Sequence, residues 1–580
     1  MDWALIRKHC ERKAKELFND FDTKRKSILA EVAREFYPAG VAGLTKSVEN
    51  LADESAYDEK NRFLTTKPMD CLRKGAAGFH GNLTSPARRW FHLRTRGGGA
   101  SSIDQDRALD KLTEATEWTF SFGGVYPQLY KLYEHCLCFG FGCMLVSRDR
   151  ERIVRAQTLR VGTYALDVGE DGKVCRVVRR FSWTADKIIS EYGEEATPEC
   201  VKNAARCGKG NMRWTICNIV EPNLTGPLKA YDPISKELDL DDSLVYRSIY
   251  WLESPGSSDR AGILETAGFT VKPIVAPRMD YELGDVYGRG RGLDGLDLAR
   301  GIQSFQYDIL KLSGLRAQPP VVAASEFKDT GLRLGRGQVN YARMGEQRQA
   351  MVAPIFASPP DSSETRADRQ EAEMQLADLF FNTAFATIDA LKNQTGVKTA
   401  TEIDALVREN MERLNPVVTN FDNELLDPLV NTIVHYTLSD EANFREGGLL
   451  ADVDLSAIGG ETEVEYVSQI HLAARQSQMS SVSTFLQFAG GLAQAKPEAL
   501  DLVDTDGTIR CYAKMLGVPT DCLAKEDDIL AIRAKRQSLE NAARQQQALA
   551  SLGDVAKLGA IPTDEGHAGG LIAKGLGAGQ

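Results

Sequence analysis

The residues best suited by type to chemistry are His135, Cys136, Cys138 and Cys143, four soft donors close together that could surround a zinc ion. Zinc needs all four at tetrahedral geometry. Here the intervening residues are almost wholly apolar and no second CxxC pair exists, so buried thiols are expected instead. Cys200, Cys207 and Cys217 are likewise unpaired in motif terms. The run "DLVDTDGTIR" imitates a calcium loop through Asp504, Asp506 and Gly507, but Leu502 holds the first ligand position and Ala513 the twelfth, where a bidentate Glu belongs. A turn and helix cap fits better. "AGVAGLTKS" lacks the glycine directly before the lysine that lets a loop wrap phosphates. "YGRGRG" has the spacing of neither nucleotide motif and is taken as a glycine-rich hinge. The acidic pair Asp241 and Asp242 suits a solvated surface better than an acid/base centre. HExxH, GxSxG and any Ser/His/Asp grouping visible in sequence are missing. The expectation is no catalytic residue, no cofactor and no metal. A metal-dependent nuclease stays open as the rival, resting on scattered carboxylates and cysteines, and so does a monomeric adaptor.

The elements that would position any site are more legible. Trp3, Ile6, Cys10, Ala14, Leu17, Phe21, Ile28 and Val32 advance mostly by three or four, predicting an amphipathic helix to about Phe36, where Pro38 and Gly40 end it. Residues 45–80 and 101–145 look mainly helical, and "CLCFGFGCMLV" (136–146) should be a buried strand or helix. From Ile153 to Val275 short β-branched and aromatic runs alternate with turn residues, which predicts a β-rich unit with a short helix around Ala185 to Tyr192. After Tyr287 a helix carries Leu298, Ile302, Phe305, Ile309, Leu312 and Leu315 in one narrow stripe until Pro319 and Pro320 stop it. A few strands closed by proline follow. A second striped helix is expected from Ser363 to Leu391, with Met374, Leu376, Leu379, Phe380, Phe385 and Ile388 on its apolar side. Thr399 and Glu402 form a capping box for a third helix, which Pro416 should kink. The Gly/Ala-rich tail 551–580 lacks the apolar content for a core.

At 580 residues the chain is long enough for three or four structural units. No apolar run approaches the ~18 residues of a membrane helix, and the charged amino terminus does not resemble a secretory signal, so the chain is expected in the cytoplasm of the cell that makes it. Eleven cysteines at irregular spacing fit reduced thiols. A net charge of −11 repels a phosphate backbone, leaving contact with nucleic acid to local basic patches.

Several segments together resemble a known family. "GNLTSPARRWFHL" (81–93) is similar to the Leu-Thr-Ser-Pro-x-Arg-x-Trp-Phe segment of the portal proteins, or head-to-tail connectors, of short-tailed double-stranded DNA bacteriophages. "YGRGRGLDGL" resembles their Tyr-Gly-x-Gly stretch before the first stem helix. "TATEI", "ELLDPLV" and "VDTDGTIRCYAKMLGVP" followed by "ILAIRAKRQ" match further blocks in order, across roughly 60 to 540. Arg291 departs from the small or proline residue familiar there, and the Gly-rich tail has no counterpart.

The resemblance implies an α+β, predominantly helical chain of portal-type architecture: an α/β wing, a two-helix stem, a small β-containing clip and a helical crown. Mapped here, the wing takes 1–292, with its β-rich part at 150–280, and the stem takes 293–317 and 361–391. The clip is 318–360, the channel loop 392–398, the long kinked wing helix and connection 399–460, the crown 461–550 and the flexible tail 551–580. Lys392, Asn393, Gln394 and Lys398 would face DNA. Arg88 and Arg89 would pair with acidic groups of an adjacent subunit, and Trp90 and Phe91 would be buried as wing anchors. Leu298, Ile302, Phe305, Ile309 and Leu312 would pack the stem. The implied function is a ring of twelve copies at one capsid vertex of the virion, assembled in the host cytoplasm. The implied partners are double-stranded DNA, a terminase ATPase, tail or adaptor proteins, and capsid and scaffolding proteins, with no membrane. Twelve such chains would carry roughly −130, which suits a channel that lets DNA slide without adhering.

Overall fold

The structure is a computed structural model that describes residues 2–51, 63–96, 103–149, 151–255, 260–317, 321–323, 352–354, 361–386, 413–445, 448–451 and 462–472, with short stretches between 482 and 543. The amino-terminal periodicity becomes two helices. In α1 (Trp3–Lys24) the Asp2 carboxylate accepts from the amides of Ala4 and Leu5 at the start, and Ile6, Cys10, Ala14, Phe18 and Phe21 are buried. The single helix expected to Phe36 breaks at Arg25 (φ −125°). α2 (Lys26–Phe36) restarts in a new phase that buries Leu29, Val32, Ala33 and Phe36 and leaves Ile28, assigned to the stripe, at the surface. Next come α3 (Val41–Thr45), α4 (Lys67–Asn82), β1 (Phe91–Thr95), α5 (Ile103–Phe122) and α6 (Val125–Phe139). Residues 136–146 cross from the end of α6 into β2 (Met144–Asp149), and all but Leu145 are buried.

The β-rich unit consists of β3 (Ile153–Thr158), β4 (Tyr164–Val168), β5 (Val174–Thr184), α7 (Ala185–Ala196), α8 (Glu199–Arg206), β6 (Arg213–Pro222), α9 (Pro233–Leu238), β7 (Tyr246–Leu252), β8 (Ile263–Phe269) and β9 (Ile274–Val275). β4 to β8 form a five-stranded sheet in that order, antiparallel throughout, and β3-β2-β9 form a second. The side chains on one face of the larger sheet join the main core. On the other, Ile216, Leu252 and Leu264 pack under α7 and α8 with Ile188 and Val201 as a separate small core.

An ionic cluster fastens α1 to this sheet. Glu221 on β6 lies opposite Arg247 on β7 in the strand register, and its carboxylate accepts from Arg247 (2.6 Å) and Arg176 (2.8 Å), with His9 of α1 at 3.2 Å. Burial alone would raise the Glu221 pKa, but His9, Arg247 and Arg176 overcome it and hold the group down at about 2. A depressed carboxylate contributes stability that is complete above its ordinary value near 4.5 and is lost as pH falls toward 2. E221Q should therefore cost about 3 kcal/mol at pH 7, with a difference from the parent that shrinks in denaturant titrations across that window. An equal difference at pH 7 and pH 2.5 would show that ionisation of Glu221 is not what stabilises the joint.

The later chain begins with α10 (Arg291–Asp294) and α11 (Leu296–Ala317). The two-stranded pair β10 (Val321–Ala323) and β11 (Val352–Pro354) precedes α12 (Ser363–Leu379). A helical stretch from 413 then runs into α13 (Asp427–Ser439), and β12 (Thr462–Tyr466) pairs antiparallel with β1 across five residues. The Val467 amide carries the contact one residue further, to the Trp90 carbonyl. The described stretch 529–543 is helical, with Leu530, Ile532 and Leu539 exposed. Among the described residues no helix is long and apolar enough to cross a membrane.

Candidate functional site

α11 and α12 pack side by side. Gly295, at the root of α11, makes the approach possible, since a Cβ there would lie 2.9 Å from both Leu376 Cδ1 and Leu379 Cδ2. Ile302 and Ile309 are buried, while Leu298, Phe305 and Leu312 are half-buried. Arg316 donates to Asp361 (2.9 Å) and Arg369 to Gln306, tying the pair along its length. Tyr307 and Leu310, three residues apart and off the buried stripe, are 48% and 49% exposed. Two expectations for the second helix need correction. Met374 is exposed instead of buried, and the helix meant to reach Leu391 stops at Leu379. Phe381 takes φ +61°, a left-handed conformation that no L-residue helix continues through, and helical geometry resumes from 382 through the described residues to 386. The break seats the Phe380 carbonyl against Gly75 of α4, where a Cβ would sit 2.6 Å away.

The Arg-Arg-Trp-Phe corner follows α4. Trp90 and Phe91 are buried. Trp90 packs on Phe91, edge-on to Phe120 and parallel to Tyr466 of β12 (6.3 Å between ring centres), and its Nε1 donates to the Tyr126 hydroxyl at 3.2 Å. The Val467 amide donates to the Trp90 carbonyl (2.8 Å), so the strand pairing continues past the strands. Arg89 donates to Glu117 of its own chain (3.3 Å). Arg88 is exposed, and its side chain makes no hydrogen bond or ion pair among the described residues.

One junction was not legible in sequence. Asp422–Leu426 form a π-helical turn within the helical run that leads into α13. Pro428 supplies the reason: it has no N–H to give the Glu424 carbonyl, and its ring crowds that carbonyl, so the α-type bond between them is impossible. Glu424 receives Arg278, a fully buried arginine whose amide (2.9 Å) and guanidinium both donate to its carboxylate. The remaining guanidinium donors reach the carbonyls of Asp285 (2.7 Å) and Gly172 (2.6 Å), and the cation sits over the Tyr281 ring. At the other side of the turn His471 Nε2 meets Asp422 (2.9 Å), Ser468 Oγ meets His471 Nδ1 (2.7 Å), and the Tyr466 hydroxyl donates to Asp427. Burial raises the Asp427 pKa, the Tyr466 hydroxyl opposes this, and the neighbouring Asp422 charge adds to it.

Ser468, His471 and Asp422 are the ingredients of an acyl-transfer relay, which the sequence reading did not find because 46 or more residues separate the aspartate from the other two. The serine is buried and precedes the helical turn 469–472, so the set fastens that turn to the long helix. The signal that could have located the π turn is Pro428, four residues after Glu424 inside an otherwise helical run.

The soft donors on α6 lie in the core. Burial pushes the Cys143 thiol up to about 12 and those of Cys136 and Cys138 upward as well, and it lowers His135 to about 4, so thiols and imidazole stay neutral. His135 stands edge-on to Tyr37. Lys392, Asn393, Gln394, Lys398, Ile388, the Thr399/Glu402 box and the 551–580 tail lie outside the described residues.

Comparison with known proteins gives a consistent picture. A family model described as bacteriophage head to tail connecting protein matches residues 11–523. The chain is 26% identical over 514 residues to a "Probable portal protein" of Bordetella phage BPP-1, covering 88% of each. It is 26% identical over 492 residues to the "Portal protein" of Salmonella phage epsilon15, covering 84% of each. Among solved structures, a chain from the virion of a native gene transfer agent particle aligns at 12% identity and a TM-score of 0.30, covering 78% of this chain and 93% of that one.

Proposed function

Because this chain belongs to the family of bacteriophage head-to-tail connecting proteins, we propose that copies of it form a ring at one capsid vertex, the conduit through which the genome is packaged and ejected. The role is structural: the ring holds the genome, docks a terminase ATPase during packaging, meets tail or adaptor proteins afterwards, and contacts capsid and scaffolding proteins during assembly in the host cytoplasm. Residues 1–292 act as the wing, α11 and α12 as the stem, 318–360 as the clip and 399–460 as the long wing helix with its connection. Residues 461–550 act as the crown, tied to the rest of the chain where β12 pairs with β1. Lys392, Asn393, Gln394 and Lys398 form the loop facing DNA, where a net negative ring confines contact to local cations. Twelve copies match the arrangement that the resemblance implies.

The observation that carries this reading is the family match across residues 11–523. The helix pair supports it, since Tyr307 and Leu310 keep an apolar side of α11 uncovered in the single chain. Negative-stain images of the purified protein should show rings. Y307D/L310D should leave a folded single chain by circular dichroism and native mass measurement, because exposed substitutions cost the fold little. A parent protein that stays monomeric at high concentration would remove the ring from the proposal.

A further inference from the structure

The π turn Asp422–Leu426 grips two segments far from each other in sequence. On one side Glu424 holds Arg278, and Asn420 Nδ2 donates to the Met279 carbonyl (2.7 Å). That segment leads straight to the base of α11: the Arg289 amide donates to the Asp280 carbonyl (2.7 Å), and Arg291 pairs with Asp280 (3.0 Å). On the other side Asp422 and Asp427 hold His471 and Tyr466, in the segment that follows β12 and in β12 itself.

A π turn contains one residue more than the α-helical turn that would replace it. Relaxing it would rotate the residues on one side by about 100° and shift them by about 1.5 Å relative to the other. Glu424 could not then face Arg278 while Asp422 and Asp427 faced His471 and Tyr466. Both sets of contacts therefore select the same local geometry, and each is favoured when the other is made.

We infer that the π turn couples the base of α11 to the 462–472 segment: contacts at Glu424 strengthen those at Asp422 and Asp427 through the shared turn, and the reverse holds equally. Such coupling is reciprocal by thermodynamic necessity. Displacement at the base of the helix pair is transmitted to the root of the carboxy-terminal region without any ligand bridging them. The inference rests on the proposed function only for the names stem and crown, since the coupling is read in the intact protein whether or not rings form.

The test is hydrogen exchange followed by mass spectrometry on the full-length chain. E424Q weakens contacts only to Arg278 and Tyr281, both within 276–290, yet it should speed exchange of amides in 462–472 about tenfold. Y466F/H471A, which touches only the opposite side, should do the same in 276–290. E424D, which keeps the charge and shortens the reach, serves if E424Q fails to fold, with the same expectation at 462–472. If each variant speeds exchange only in the segment whose own contact it removes, the turn is no coupler and the inference is overturned. Rings with confined exchange would overturn the inference and leave the proposed function standing. Coupled exchange in a protein that never forms rings would do the opposite.

Discussion

Replacing Trp90 with alanine should lower the unfolding free energy by about 3–5 kcal/mol, the cost of emptying a large, fully enclosed aromatic site. Trp90 contacts Phe91, Phe120 and Tyr466 and gives its only donor to Tyr126, so truncation removes ring packing from α5, α6 and β12 together. Denaturant titration gives the magnitude, and limited proteolysis gives the place. Cleavage should begin in 462–472, because β12 is held to β1 beside this ring and the Val467 amide is bonded to the Trp90 carbonyl. R88A, two residues away on an exposed side chain, should shift stability by less than about 0.5 kcal/mol. If R88A proved as damaging as W90A in the single chain, the corner would not be anchored by its aromatic pair.

R278M should be comparably severe. It leaves the Glu424 carboxylate buried without its counter-charge, a situation that costs about 3–5 kcal/mol. The double variant R278M/E424L removes both charges and should be less damaging than R278M alone, because apolar residues of similar volume replace a buried pair at little cost. Recovery should be incomplete, since the Asp285 and Gly172 carbonyls still lose their donor. A double-mutant cycle by denaturant titration measures this directly. Additive losses would mean that the two side chains stabilise the fold independently and that their ion pair contributes nothing.

Both predictions concern residues whose identity was visible in sequence and whose partners were not. "RRWF" pointed to buried aromatics, because a Trp-Phe pair after a helix-ending turn has few stable places other than a core. Its two arginines gave no hint of their different fates. Arg89 meets Glu117, whereas Arg88 projects outward, and only the path of α5 past the corner separates them. Arg278 and Glu424 lie in unremarked positions of a β-to-helix connection and a helical run, 146 residues apart.

By itself the sequence determined what depends on neighbours along the chain. The three- and four-residue steps of α11 set its buried stripe, alternation set the strands between β2 and β9, and the ordered motif blocks identified the family. Periodicity is local, because each residue's side follows from its neighbours' geometry. Tertiary structure decided what each interruption of that periodicity faces. Arg25 divides the first helix, Phe381 ends α12 early, and Pro428 converts its turn to π geometry, so that Asp422, Glu424 and Asp427 face different partners. Such breaks carry a local energetic penalty. They persist because distant groups such as Arg278, Tyr466 and His471 offset it by contacts that no spacing rule contains.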